Sequence, residues 1–164
     1  MSLNFFNADC QETPRTDLEF GLCDDKPGER AYTKNTDPHS WIATIKNKKG
    51  NRVVFTAIDK CVLHDNEYKN RGRCDGMLTT ARCLYLVELK DQEPPWQTDA
   101  LKQLESTIRL LLENHDISQF KIRKVFGCNK HKKDKFLVFD PQENIRFYRE
   151  TSFRKDFQTN IVIV

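Results

Sequence analysis

Residues 74–92 read CDGMLTTARCLYLVELKDQ, and the fold turns on how this stretch pairs with itself. Leu84, Tyr85, Leu86 and Val87 are apolar at successive positions, so both faces of an extended chain are apolar here. That marks a central strand covered on each side rather than one with a wet face. Glu93, Pro94 and Pro95 stop it. Side chains two apart in a strand point the same way, so Glu88 and Lys90 share one face while Val87 and Leu89 pack on the other. If 74–79 folds back on 83–90 as a hairpin, Asp75 is carried beside the end of the same strand. Two carboxylates and an ammonium then meet in one small volume. At the end of a buried strand such a group costs several kcal/mol of desolvation unless something compensates it. The cluster is therefore either a self-neutralising ion group or a site.

Working outward, the next element is the most secure. From Thr98 to Asn114 the apolar residues Leu101, Leu104, Ile108, Leu111 and Leu112 recur at helical spacing and form one stripe. Upstream, "WIATIK" at 41–46 and "RVVFTAIDKCVL" at 52–63 alternate with period two around a turn containing Gly50, which predicts a β-hairpin. The expectation is an α/β (α+β) fold with a central mixed sheet of at least four strands. In it 41–46, 52–63, 74–79 and 83–90 are neighbours, and helix 98–114 packs on one face. Residues 1–40 are polar and irregular; Thr16 and Glu19 before Phe20 and Leu22 make a capping-box pattern that predicts a short helix at 17–23. Residues 126–164 complete a β-rich C-terminal part, with extended runs at 121–127, 135–140 and 145–149. The apolar tail "NIVIV" at 160–164 is expected to pair with another strand. At 164 residues the chain is long enough for one domain over 1–164, with its core at 41–125, and too short for two comfortable ones.

Composition narrows the classes. With 38% hydrophobic and 31% charged residues and only short apolar runs, no transmembrane helix is available. The N-terminus "MSLNFFNADCQET" has no basic region followed by an apolar core, so a cytoplasmic protein is expected. Six cysteines at 10, 23, 61, 74, 83 and 128 follow no compact framework and are read as reduced thiols. Cys61 with His64, and Cys128 with His131, would together make a Cys₂His₂ zinc set, but the two half-motifs lack the usual Cys-x-x-Cys spacing. Core cysteines beside loop histidines are the preferred reading.

Asp75 and Glu88 repel each other unless a cation joins them, and Mg²⁺ takes one or two carboxylates plus waters in such sites. Lys90 beside them would offset charge on a phosphate oxygen, a set suited to hydrolysing a phosphodiester. The order of Asp75, a dozen residues, Glu88-x-Lys90 on a central strand, then a helix resembles the PD-(D/E)XK nuclease superfamily, with "CD" at 74–75 in place of the family's Pro-Asp. The resemblance covers about residues 41–125. It implies a restriction-endonuclease-like fold, Asp75 and Glu88 as ligands of Mg²⁺ (or Mn²⁺), and Lys90 as the catalytic lysine. Several branches of that superfamily carry Gln-x-x-x-Tyr on the following helix. Here Gln103 matches, Thr107 replaces the tyrosine, and both fall with Ala100 on the neutral flank of the helix, opposite Lys102, Glu105 and Arg109. The family also often has an acidic residue on its first helix, for which Glu19 is the best-placed residue.

The net charge of +3 hides segregation: residues 41–90 and 115–164 each carry +5, whereas 1–40 and 91–114 carry −4 and −3. Basic loops at Lys48, Lys49 and Arg52, and at Lys130, Lys132 and Lys133, are candidates for phosphate contacts, which give affinity without sequence reading. Nucleic acid is the expected partner, with no membrane. A homodimer is the simple way to address both strands of a duplex. The competing reading keeps the nuclease-like fold but makes it a catalytically inactive module for binding or inhibition.

Overall fold

The computed structural model describes residues 3–68, 70–93, 95–131 and 140–164. Two mixed sheets and two helices make a single α+β domain, the class expected from the sequence. Strands β1 (Glu19–Cys23), β2 (Tyr32–Lys34), β3 (Ala43–Lys46) and β9 (Asn160–Val162) form a four-stranded sheet in the order β2-β1-β3-β9. Strands β4 (Val54–Ala57), β5 (Gly76–Thr79), β6 (Cys83–Lys90), β7 (Ile122–Asn129) and β8 (Arg154–Asp156) form a five-stranded sheet in that order. Helices α1 (Gln97–Asn114) and α2 (Pro141–Thr151) complete the chain.

β6 is the third of five strands, and its two apolar faces serve two cores. Leu84 and Leu86 join Met77, Val125 and the α1 residues Leu104, Ile108 and Leu111 on one side. Tyr85, Val87 and Leu89 join Phe20, Leu22, Ile45 and Ile161 of the other sheet on the other side. The five-stranded sheet is thus the middle layer, and that is why residues 84–87 show no polar alternation. The helix runs one residue earlier than the expected 98–114. Leu110 is buried in it, whereas Leu112, placed in the stripe, is 41% exposed.

Four sequence expectations need correction. The hairpin expected between 41–46 and 52–63 is split between the sheets. A turn does form there, held by the Asn47 side chain, which donates to the Asn51 carbonyl and accepts from its N–H, with Gly50 at φ 62°. The pairing edge of 53–55 is taken instead by the N-terminal segment: Arg15 and Val53 exchange backbone bonds of 2.8 Å, and Glu12 donates to Phe55. β3 pairs with β1 and β9, the partner that the apolar tail required.

The helix expected at 17–23 is strand β1. Its edges are filled on both sides by β2 and β3, and long-range pairing overrides the capping pattern. Gly21 fits this placement because the Trp41 ring lies where a Cβ would stand, 2.0 Å from Trp41 Cγ. Residues 145–149 are helix α2, not a strand. Asp140 caps it by accepting the Gln142 N–H, and Pro141 occupies the first turn, a start signal readable in the sequence. Of the expected strand at 135–140, all but Asp140 lies outside the described residues.

Finally, Cys10 and Cys61 form a disulfide, so not all six cysteines are reduced; the other four are buried thiols. The bridge closes a separation of 51 residues and ties the Ala8–Cys10 turn to the segment after β4. With Cys61 bonded and Cys128 buried with its thiol on the Gln158 carbonyl, no Cys₂His₂ set forms. His131 instead faces Asp91 and Glu93.

Candidate active site

Register brings the motif together. β5 pairs antiparallel with β6 so that Gly76 faces Val87, and the Asp75 N–H donates to the Val87 carbonyl at 3.1 Å. Asp75 therefore lies beside the end of β6, and its Oδ2 accepts the Leu89 N–H at 2.7 Å. Gly76 allows the turn-in, since a Cβ there would stand 2.4 Å from the Phe55 ring. Glu88 and Lys90 share the α1 side of β6, with Lys90 Nζ 3.5 Å from Glu88 Oε2. The same ammonium donates to Gln103 Oε1 at 2.9 Å. Thr107, the residue in place of tyrosine, serves the backbone. Its hydroxyl donates to the Gln103 carbonyl at 2.7 Å and accepts the Cys74 N–H at 2.8 Å, fixing the chain next to Asp75. Thr107 is fully buried. Thr107→Val is therefore expected to leave the Cys74 N–H without a partner and to cost about 1–3 kcal/mol in denaturant unfolding, with Thr107→Ser retaining most of the stability.

Asp75, Glu88, Lys90 and Gln103 line one open cleft of about 570 Å³. Two acids the sequence reading missed line it as well, Asp24, directly after β1, and Asp59, two residues beyond β4, together with the cations Arg71 and Arg73. Glu19, the acid expected from the resemblance, is not among them. It begins β1 at the end remote from Asp24 and pairs with Lys46. The missed acids had a faint signal, since both follow apolar strand sequence, in "GLCDD" and "FTAID", at the strand end that faces the motif.

The carboxyls sense one another. Burial, followed by the charge of Asp75, pushes Glu88 well above the usual carboxylate range, with Lys90 pulling the other way. Asp24 is exposed as a residue, yet desolvation of its carboxyl and the neighbouring Asp75 and Asp59 push it up to about 7. Asp59 is raised by burial and by Asp75. Glu88 Oε2 is buried and has no hydrogen-bond partner.

A buried carboxylate oxygen that accepts no hydrogen bond, beside a second carboxylate, fits a hard divalent cation. Among the described residues no group of three or more His, Cys, Asp or Glu side chains forms a metal cage. A cation held by the Asp75 and Glu88 pair would have two carboxylates, the number Mg²⁺ commonly takes while keeping its waters.

The basic residues fall in three places. Lys130 is exposed and its N–H donates to the Lys90 carbonyl, at the cleft end of the sheet. Lys48, Lys49 and Arg52 sit in the turn after Lys46, which pairs with Glu19, so they stand at the end of the strands remote from the cleft. Lys132 and Lys133 lie outside the described residues. Comparison with protein-family models, with curated proteins and with solved structures gives no match to this chain. No helix is long and apolar enough to cross a membrane among the described residues.

Proposed function

We propose that the chain is a metal-dependent phosphodiesterase acting on nucleic acid, with Asp75 and Glu88 holding Mg²⁺ or Mn²⁺ and Lys90 beside the scissile phosphate. The observation that carries this reading is the convergence of Asp75, Glu88, Lys90 and Gln103 on one cleft in which a buried Glu88 oxygen accepts no hydrogen bond and faces Lys90 only at ion-pair distance, 3.5 Å. A bound divalent cation supplies a Lewis acid for a phosphoryl oxygen and a more acidic water.

The remaining work falls to side chains. Lys90, held between Gln103 and Glu88, presents a fixed positive charge that offsets charge developing on the phosphate. Asp24, which burial and the charges of Asp75 and Asp59 push up to about 7 without a cation, lines the same cleft. Asp75 is oriented by the Leu89 N–H and, through Cys74, by Thr107. A self-neutralising cluster accounts for less: it leaves Glu88 Oε2 unsatisfied and three carboxyls raised, an arrangement that destabilises the fold.

The test is a panel of single-stranded, duplex, flapped and branched DNA and RNA incubated with purified protein and Mg²⁺ or Mn²⁺. Cutting of some member, stopped by chelator, is the expected result. No cutting of any member, with no divalent-cation binding by calorimetry, would replace this reading with the non-catalytic binding module.

A further inference from the structure

A second pocket, of about 270 Å³, opens at the other end of the five-stranded sheet. Lys121, Arg123, Lys124 and Arg154 converge on it, with Tyr148 and Ser152 completing the wall, and no carboxylate lines it. Parallel register sets its place. Ile122 pairs with Cys83 at the start of β6, whereas Lys90 pairs with Asn129 at the end. Seven residues at about 3.3 Å each put the pocket about 23 Å from the Asp75 cleft.

Two structural explanations for this charge fall short. Cations favour the C-terminal end of α2, where Ser152 caps the helix, but a helix end carries roughly half an elementary charge and one cation offsets it. Basic residues also protect edge strands, yet Lys121, Arg123 and Lys124 belong to β7 and its approach, the fourth of five strands. The groups are held in place as well. Arg123 donates to the Phe120 carbonyl at 2.8 Å and to Ser152 Oγ at 2.7 Å, Lys121 donates to the Ser118 carbonyl at 3.1 Å, and Arg154 lies 4.8 Å from the Tyr148 ring centroid.

We infer that this pocket binds a phosphate of a single nucleic-acid strand, with Tyr148, 46% exposed and backed by Arg154, as a stacking face for an adjoining base. The strand is favoured over a small phosphorylated ligand because the charge continues past the pocket. Arg82, whose carbonyl accepts the Ile122 N–H, adjoins it, and Arg52 precedes β4 at the same end of the sheet. From β4 to β8 is four strand spacings, about 19 Å, a length that matches several phosphates of one strand. The site is separate from the cleft and does not depend on cleavage there.

The test measures binding of labelled oligo-dT in chelator, so that cutting does not enter. The proteins are the wild type, Lys121→Glu/Arg154→Glu and the milder Lys121→Gln, each checked by circular dichroism for an unchanged fold, with Glu88→Gln as the control at the cleft. Expected are an affinity loss on the order of tenfold in the double variant, a smaller loss in Lys121→Gln, and a salt slope reduced by about 1.4, with Glu88→Gln retaining this Lys121-dependent binding. Unchanged affinity and slope in a folded double variant would overturn the proposal. So would inorganic phosphate shifting the Lys121 and Arg123 resonances while oligo-dT does not bind, because the ligand would then be a small phosphate. Lys121-dependent binding in a wild-type protein that cuts no member of the nucleic-acid panel with Mg²⁺ or Mn²⁺ would count against the phosphodiesterase reading alone.

Discussion

Glu88→Ala and Lys90→Ala are each expected to slow cleavage of the best substrate at least about a hundredfold, a loss of about 2.7 kcal/mol in transition-state stabilisation. The two losses have different origins. Glu88 is one of the two carboxylates proposed to hold the cation, and removing it also removes a buried oxygen that accepts no hydrogen bond. Its variant should bind divalent cation weakly, and added Mn²⁺ should recover part of the rate. Lys90 holds no metal. Its variant should keep cation binding and lose rate at every metal concentration, because the charge facing the phosphate is gone. Gln103→Ala acts only through the 2.9 Å contact to Lys90 and is expected to cost less than either. Single-turnover rates across a metal titration separate these cases. Equal loss of substrate binding and rate in both variants would mean that the residues hold the fold and not the reaction.

The second large effect is on stability, and its sign is opposite to that of most acidic clusters. Burial and mutual repulsion raise Glu88, Asp24 and Asp59. The folded protein therefore holds protons at these carboxyls that the unfolded chain has released, and stability falls as pH rises from the unfolded value, 3.8 for Asp24, towards about 7. Without metal, the melting temperature should fall between pH 5.5 and 8. Glu88→Gln should raise it at pH 8, by about 2–4 °C for each kcal/mol of repulsion removed, and should flatten the profile. Saturating Mg²⁺ should flatten the wild-type profile too, since a cation takes the place of the protons. Thermal unfolding across that pH range in chelator checks this. A melting temperature that rises with pH, or a destabilised Glu88→Gln at pH 8, would show that the cluster is a stabilising ion group.

The same variant is thus expected to lose activity and gain stability. A residue placed for chemistry behaves this way when its charge is not compensated within the protein. Lys90 compensates Glu88 only in part, at 3.5 Å and opposed by Asp75.

What the sequence revealed of the site is what period-two geometry and one hairpin can carry. Glu88 and Lys90 share a face because they are two apart, and Asp75 reaches them because 76–79 and 84–87 pair locally. Gln103 comes from the Gln-x-x-x-Tyr pattern of the resemblance, and helical spacing places it on the neutral flank of α1. Asp24 and Asp59 were not legible because sheet packing brings them in. Asp24 follows a strand of the other sheet, and Asp59 follows a strand whose outer edge is taken by the N-terminal segment. β1 and α2 were misread for a related reason. Phe20 and Leu22 are two apart, the period of a strand, and pairing with two neighbouring strands outweighs the capping pattern of Thr16 and Glu19. Phe147 is the one residue of α2 that is buried, so 145–149 lacks a helical stripe, and the start signal at Asp140 and Pro141 carries the information instead. The Cys10–Cys61 bridge depends on the docking of the N-terminal turn, a contact no spacing rule reaches.

The most direct measurement is a crystal structure grown with Mn²⁺ and read by anomalous scattering. One Mn²⁺ is expected about 2.1 Å from a carboxylate oxygen of both Asp75 and Glu88, with Lys90 still on Gln103. An anomalous peak held by Asp24 and Asp59 alone, or no peak in the cleft at saturating Mn²⁺, would contradict the assignment of Asp75 and Glu88 as the metal pair.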